Sequence, residues 1–383
     1  MGTVPASHMG TVPAPHGDGA RDDKRVEPLE LFFDLVFVFA LTQVTARMAD
    51  DLSWGGLLRG LLVLAAIWWA WAAYAWLTNE VDGSRRDVRL AIFGAMIAML
   101  LASLAIPGAF EGDALLFACA YLGVRAMHVF LFAAGTDNVD VRQAARALAP
   151  VATLAPALLL VASALDGAAQ AAVWIGALLF DYVGGALRGI GGWRLSPGHF
   201  AERHSLVVII ALGESIVAIG VGAAGIALQA GELAAAALGV IVSAALWWVY
   251  FDAALERVEK RLHAVAAGRA RNVLARDSFS FLHLPLVAGI VLLALGVKKT
   301  LEHVDESLEA VSAAALCGGV ALYLASDVAF RRRCLGWFER PRLVAAAACL
   351  ALLPLAIELP SLAALTGVAT VCAALVGYEA LRA

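Results

Sequence analysis

Charged residues are scarce in this chain, and their scarcity sets its class. Asp, Glu, Lys and Arg make up 16% of the 383 residues, 62% are hydrophobic, and the formal net charge is -4. Soluble domains are roughly half apolar and about one quarter charged. The excess of apolar residues predicts a polytopic membrane protein.

Several motifs that would indicate other classes are also missing. No basic tract carries interleaved aromatics, so nucleic-acid binding is not expected. There is no glycine-rich loop ending in Gly-Lys-Ser/Thr and no His-Glu-x-x-His helix, which removes support for direct nucleotide drive and for that class of metalloprotease. We expect no cofactor, and as partners membrane lipids and a small-molecule substrate.

Metal ligands and disulfides are not indicated either. His199, Glu202 and His204 are metal-ligand types, but three such groups beside a membrane are more typical of a polar cap. The cysteines are few and scattered, which predicts neither a disulfide framework nor a zinc site; they are Cys119, Cys317, Cys334, Cys349 and Cys372.

Long apolar segments fill the rest of the chain. A membrane-spanning helix needs about 20 mostly apolar residues. The sequence therefore predicts an all-α, polytopic transmembrane helical bundle of about 12 helices. The segments are 31–49, 55–77, 89–107, 114–135, 148–165, 171–188, 203–224, 232–254, 278–297, 309–329, 342–358 and 361–381.

Basic residues favour one side of this arrangement. Cytoplasmic loops of membrane proteins collect Lys and Arg. Every second connection is rich in them, as in Arg85 and Arg86 or Arg331 to Arg333, whereas few fall on the other side, among them Lys298 and Lys299. The bias predicts that both termini are cytoplasmic.

The chain also divides into two similar halves. Similar features follow in the same order, which predicts two parallel six-helix repeats, 26–190 and 191–383, related by an axis near the membrane normal. Residues 1–25 are predicted to be a disordered tail, in which the repeated Met-Gly-Thr-Val-Pro-Ala indicates a cloning scar. The matching features are Glu30 with Thr42-Gln43 and Glu202 with Glu214-Ser215, Trp68-Trp69 and Trp247-Trp248, Asp87 and Asp277, and Tyr121 with Arg125 and Tyr323 with Asp327.

Two segments carry a family resemblance. They are Glu27-Pro28-Leu29-Glu30-Leu31-Phe32-Phe33-Asp34-Leu35-Val36-Phe37-Val38, and Glu202-Arg203-His204-Ser205-Leu206 with Ala211-Leu212-Gly213-Glu214-Ser215-Ile216. They resemble the hallmark segments of the bacterial low temperature requirement protein A (LtrA) family. The resemblance covers residue 26 to the C-terminus and implies a multi-pass inner-membrane protein. The family name refers to a growth phenotype, so it implies class and location rather than a mechanism.

The first helix begins with a stripe of carboxyl groups. Glu27, Glu30 and Asp34 share one helical face. Acidic groups in the first turn favour the positive end of the helix dipole, so Glu27 and Glu30 are interpreted as a solvated N-terminal cap. Asp34 lies roughly 5 Å deeper and is a candidate cavity residue, for which catalysis and structure stay open.

Glu214 is predicted to lie near the centre of the membrane. It follows Glu202 by twelve residues, or about 18 Å along a helix. Burial without a cation favours the protonated form, as in proton-coupled membrane proteins. The alternatives are a coupling carboxyl and a neutral, hydrogen-bonded Glu. Ser215 beside it is a candidate substrate-binding hydroxyl.

Arg125 is the cation at a similar predicted depth. Tyr121, Arg125 and His128 lie on one face of the fourth helix, about 15 Å from its cytoplasmic end in the case of Arg125. An arginine keeps its charge and needs an anion. Either Glu214 supplies it or a substrate carboxylate or phosphate does. His128 is a candidate acid or base, and Tyr121 a candidate substrate contact.

Further polar and aromatic side chains are assigned to the cytoplasmic half of the bundle. Asp181, with Asp252 and Asp327, is predicted there, and Asp181 is a candidate substrate-binding residue. His283 is another candidate, although a satisfied core histidine is the more common case. Trp68 is a candidate for an aromatic pocket.

The sequence leaves three functions open. The first is a proton-coupled secondary transporter of a small, potentially anionic solute, with Glu214 as coupling carboxyl, Arg125 as its partner or as anion clamp, and Asp34 as inner gate. The second is an intramembrane enzyme acting on a lipid or another hydrophobic small molecule by acid/base chemistry with Asp34, Glu214 and Arg125. The third is a membrane sensor or scaffold whose ionisable groups are all paired.

Overall fold

A computed structural model describes residues 24–136, 138–187, 192–224, 229–251 and 254–382. Most of the predicted N-terminal tail, with its repeated segment, and Asp252 lie outside these residues. In the described part of the chain, twelve helices are long and apolar enough to cross a membrane. They are α1 (Pro28–Asp50), α2 (Trp54–Glu80), α3 (Arg86–Leu104), α4 (Ala114–Ala134), α5 (Val139–Ala162), α6 (Gly167–Leu187), α7 (Pro197–Ala223), α8 (Ala230–Ala264, with the gap noted), α9 (Arg269–Glu302), α10 (Ala310–Leu335), α11 (Arg340–Glu358) and α12 (Ser361–Ala380).

The all-α membrane bundle is therefore confirmed, and several helices extend beyond their apolar windows. Helix α7 begins at Pro197 rather than at residue 203, with Pro in the first turn where its missing N–H costs nothing. Helix α9 begins at Arg269 rather than at residue 278 and contains a π-helical turn at Arg276–Phe281. The apolar windows end where charged residues begin, but these charged residues lie inside the helices.

Local side-chain contacts fix the start of α1 and the connection between α1 and α2. Glu27 and Glu30 form a reciprocal capping box at the start of α1. In the α1–α2 connection the Ser53 hydroxyl donates to Asp51, and Arg59 lies 2.6 Å from the same carboxylate. These hydrogen bonds lower the pKa of Asp51 below its usual value.

Helices pack in the same order in both halves of the bundle. In the first half α1 packs on α2 and α3, α2 on α4 and α6, and α3 to α6 pack successively. In the second half α7 packs on α8 and α9, α8 on α10 and α12, and α9 to α12 pack successively. The two halves meet where α1 and α2 contact α7 and α9.

Candidate functional site

Arg125 forms a buried ion pair between α4 and α6. Its Nη2 lies 2.9 Å from Asp181 Oδ1, and the two side chains are 1% and 3% exposed. Among the described residues, Nε and Nη1 of Arg125 have no hydrogen-bond partner. The N–H groups of these two nitrogens therefore remain as charged donors for a further acceptor.

A cavity lies beside this arginine. Arg125 and His128 line it from α4, with Trp69 and Trp76 from α2, Trp193 from the segment before α7, and Arg276 from the π turn of α9. The ring nitrogens of His128 make no hydrogen bond of normal geometry within the described residues. We call this space, lined by these six side chains, the Arg125 cavity.

The cavity is small and has an aromatic wall. Its volume is about 70 Å³, below the roughly 300–1,000 Å³ of pockets for drug-sized ligands. Gly185 makes room for the wall, because a Cβ there would lie 2.6 Å from the ring of Trp69. The cavity has room for water molecules or a small anion, held by cationic donors on an aromatic surface.

The expected partner of Arg125 was wrong in part. Glu214 is not its counter-ion, because Asp181 occupies that position. Asp181 was predicted at a comparable depth, but depth does not tell which helices are neighbours. The predicted residues Arg125, His128 and Asp181 are thus brought together, whereas Asp34 and Glu214 lie elsewhere.

Glu214 lies at the contact of α7 with α1. The Thr42 hydroxyl donates to Glu214 Oε2 at 2.6 Å, and the carboxyl group is 1% exposed. Within the described residues it has no salt-bridge partner. Ser215 beside it is buried, and its hydroxyl has no partner in the same part of the chain. Lys298 acts on Glu214 electrostatically without forming an ion pair with it. A buried carboxylate without a paired cation is costly, and a bound proton removes that cost.

A larger group of ionisable side chains joins the N-terminal parts of α1 and α7. His199 Nε2 lies 2.9 Å from Glu30 Oε2, and Arg203 Nη2 lies 3.0 Å from Asp34 Oδ1. Trp71 donates its indole N–H to the same Asp34 oxygen at 2.8 Å. We call Glu30, Asp34, His199 and Arg203 the α1–α7 cluster.

Sequence reasoning undervalued this cluster. Glu30 was interpreted as a solvated cap and His199 and His204 as part of a polar cap, but Glu30 is 4% exposed and both histidines are fully buried. Arg203 was assigned to a loop and lies inside α7. The missed signal is the matched spacing: two acids four residues apart on α1 face two basic groups four residues apart on α7.

Three other candidate residues have structural partners. Tyr121 donates its hydroxyl to the Ala66 carbonyl at 3.0 Å, and Trp68 donates its indole N–H to the Ser280 carbonyl at 2.8 Å. His283 contacts the Ser278 carbonyl through Nδ1 at 3.0 Å and the Tyr250 hydroxyl through Nε2 at 2.9 Å. Trp69 rather than Trp68 lines the cavity, and His283 is a satisfied core histidine.

The second half contains a fully paired network. Arg342 binds Glu379 through two hydrogen bonds, at 2.7 and 2.8 Å, and also binds Asp327. Arg331 binds Asp327 at 3.0 Å, and both arginines donate to the Val249 carbonyl. We call Asp327, Arg331, Arg342 and Glu379 the Asp327 cluster. Its dense pairing indicates a structural role joining α8, α10, α11 and α12.

The described residues contain no group of three or more His, Cys, Asp or Glu side chains placed to hold a metal ion.

Comparison with known proteins gives one family and one relative. Over 316 residues the chain is 30% identical to "Uncharacterized protein RA0937" of Rhizobium meliloti (strain 1021), covering 79% of this chain and 76% of the relative. No solved structure matches the chain significantly. Residues 25–377 match the family described as Bacterial low temperature requirement A protein (LtrA). The chain therefore belongs to the LtrA family of membrane proteins.

Proposed function

We propose that this protein is a proton-coupled secondary transporter of a small anion. The observation that carries the proposal is the Arg125 cavity, where a buried arginine offers the N–H groups of two nitrogens, Nε and Nη1, that no described residue accepts. A guanidinium in that position suits a carboxylate or phosphate oxygen. Asp181 keeps the arginine neutralised when the cavity holds no anion.

Proton coupling is assigned to Glu214. Its carboxyl group is buried at the contact between the halves, with the Thr42 hydroxyl as hydrogen-bond partner. Protonation changes the charge at this contact by one unit, and a change of charge in a low-dielectric environment can shift how two helices pack. Asp34 belongs to a different group of residues and acts as an inner gate through Arg203.

Location and sidedness follow from the same proposal. An even number of spans would put both termini on one side, and the described residues contain twelve candidate spans. The excess of Lys and Arg in alternate connections supports the cytoplasm as that side, and membership of a bacterial family supports the inner membrane as the location. The parallel repeat supports alternating access about an axis near the contact of α1 and α7.

Liposome transport tests this function. Purified protein is reconstituted with a pH-sensitive dye inside, and uptake of radiolabelled phosphate and of small mono- and dicarboxylates is measured with and without an inward proton gradient. We expect at least one anion to accumulate faster with the gradient. Arg125→Gln should abolish that uptake, and Glu214→Gln should remove its dependence on the gradient.

The matched control is Arg86→Gln, since Arg86 is an exposed arginine at the start of α3. It should transport as the unsubstituted protein does. If no anion enters faster than into protein-free liposomes, the transport proposal is wrong.

One observation favours an enzyme instead. His128 lines the cavity with ring nitrogens that make no normal hydrogen bond in the described residues, which suits a general base beside an anion-stabilising arginine. The enzyme with Asp34, Glu214 and Arg125 in one cavity has no such support, because the three lie apart. Turnover of a lipid mixture that is lost in His128→Phe, without anion flux, would favour this alternative.

A further inference from the structure

The α1–α7 cluster has more acidic than permanently basic groups. Glu30 and Asp34 carry two negative charges when ionised, and Arg203 carries one positive charge. His199 is the fourth member and is charged only when protonated. The cluster is therefore electrically neutral only when it holds one additional proton.

Burial gives this imbalance its weight. Asp34, His199 and Arg203 are each 0% exposed, and Glu30 is 4% exposed. An uncompensated charge in such buried surroundings strongly destabilises the fold. The Arg125–Asp181 pair and the Asp327 cluster differ from the α1–α7 cluster, because each holds equal numbers of acids and arginines.

Unpartnered atoms show where the proton can bind. Asp34 Oδ2 and His199 Nδ1 are buried, and neither has a hydrogen-bond partner within the described residues. Asp34 uses its other oxygen for Arg203 and Trp71, and His199 uses Nε2 for Glu30. Either free atom can therefore take the proton without breaking an existing contact.

A small cavity lies at the start of α1, beside Glu30. A cavity of about 10 Å³ is lined by Glu30 together with Glu27 and Lys24, and about 10–15 Å³ is enough for one water molecule. Glu27 and Lys24 are half-buried and carry one charge of each sign, so they leave the imbalance unchanged. Water here can pass a proton to Glu30 and on to its partner His199.

The other neighbouring groups do not supply the missing charge. Helix α2 contributes Trp71 and Thr78, and α9 contributes His283, which is occupied by Ser278 and Tyr250. His204 is buried, with Nδ1 on the Phe200 carbonyl. On α3 and α7, Arg86, Asp87, Arg89 and Glu202 are exposed. The charges that act on Glu30 and Asp34 are those of the cluster itself.

We propose that the α1–α7 cluster is a second proton-binding site, which holds one proton on Asp34 or His199 and exchanges it through the water-sized cavity at Glu30. Its role as a gate rests on the transport function proposed above, whereas proton binding itself does not. The step forms one O–H or N–H bond with a proton from water and changes the cluster's charge from -1 to 0.

The sign of the stability effect follows. At neutral pH the folded cluster holds a proton that the unfolded chain has already released. Its stabilisation is therefore present at low pH and is lost as the pH rises. Asp34→Asn removes one negative charge while keeping the shape and an acceptor oxygen. The variant is neutral without the proton, so its stability should not share that loss.

The test is thermal unfolding of the full-length protein in detergent, from about pH 5 to about pH 9. We expect the unfolding midpoint of the unsubstituted protein to fall with rising pH relative to that of Asp34→Asn. Asp327→Asn is the matched control: it unbalances a network that is neutral, so its midpoint should drop without flattening the pH dependence. Equal pH dependence in Asp34→Asn and the unsubstituted protein would overturn the proposal.

Two further measurements cover a variant that does not fold. Glu30→Gln removes the same charge and should flatten the pH dependence in the same way. Difference infrared spectroscopy compares the unsubstituted protein with Glu30→Gln from about pH 5 to about pH 9. The absence of any titrating carboxylic acid or imidazolium band that differs between them would also overturn the proposal. If the titration is found but no anion is transported, the transport function fails and the proton site stands.

Discussion

Three buried arginines each bind a carboxylate on another helix. Arg125 on α4 binds Asp181 on α6, Arg203 on α7 binds Asp34 on α1, and Arg342 on α11 binds Glu379 on α12. Each pair joins two helices. Separation of the two helices would leave an unpaired ion inside the bundle, which is costly. These residues determine which helices are neighbours as well as what the cavities can bind.

Removal of one member of the Arg125 pair should cost more than removal of both. Asp181→Leu leaves a buried arginine without its anion, for which about 3–5 kcal/mol of destabilisation is typical. The double variant Arg125→Leu/Asp181→Leu has no uncompensated charge and should recover much of that loss. Unfolding in detergent of both single variants and the double variant measures it, and additive losses would contradict the pairing.

Sequence reasoning predicted the depth of individual residues better than their partners. Arg125 and Asp181 were both assigned to the membrane, and their pairing required knowledge that α4 and α6 lie on the same side of α2. Glu30 was misassigned for a different reason. Its position in the first helical turn is typical of a solvated cap, and its burial depends on His199, which is 169 residues away.

At the scale of elements, glycine sets the distance between α9 and α10. A Cβ on Gly289 would lie 2.6 Å from the Gly319 carbonyl oxygen, and one on Gly296 would lie 2.6 Å from the Leu316 Cβ and 2.8 Å from its backbone nitrogen. Small residues let helices approach closely where lipid gives no hydrophobic drive to associate. The close approach keeps α9 in place between the two halves, where it carries Arg276 to the Arg125 cavity.

Gly289→Ala should therefore destabilise the bundle. The new methyl group meets backbone atoms, which cannot rotate away, and overpacking of this kind costs about 1–3 kcal/mol. Gly220→Ala is the control, because nothing lies within 4 Å of a Cβ at that position. Alanine is the better helix former, so the control should unfold at the same temperature or slightly higher. If both variants lose stability, the loss does not come from the close contact of Gly289 with α10.

Helix existence was predictable from composition, but helix boundaries were not. Each apolar window of about 20 residues corresponds to one observed helix. The windows miss residues 197–202 of α7 and 269–277 of α9, which contain His199 and Arg276, because hydropathy counts a charge against a span wherever it points. One residue of the α1–α7 cluster and one of the Arg125 cavity therefore lie in the omitted turns.

At the scale of the whole molecule, the contacts between α1 and α7 join residues 169 to 172 positions apart, close to the offset of the proposed repeat. The proposed repeat aligns Glu30 with Glu202, an offset of 172 residues, and the contacts join Glu30 with His199, Asp34 with Arg203 and Thr42 with Glu214. Equivalent helices on either side of an axis along the membrane normal run parallel and meet at equal depth. The repeated packing order of the two halves supports the same arrangement.

A parallel repeat predicts that equivalent connections lie on the same side of the membrane. The α2–α3 connection corresponds to α8–α9, and α3–α4 corresponds to α9–α10. Cysteine can be placed at an exposed position in each, as Ser84→Cys, Ala266→Cys, Gly112→Cys and Asp305→Cys, in a chain whose exposed Cys119 is replaced by Ala. A membrane-impermeant maleimide added to intact cells should label Gly112→Cys and Asp305→Cys. Ser84→Cys and Ala266→Cys should be labelled only after permeabilisation, because the basic connections are predicted to lie in the cytoplasm. Labelling of one member of a matched pair without the other would exclude a parallel repeat, and with it the placement of an axis between α1 and α7 on which alternating access depends.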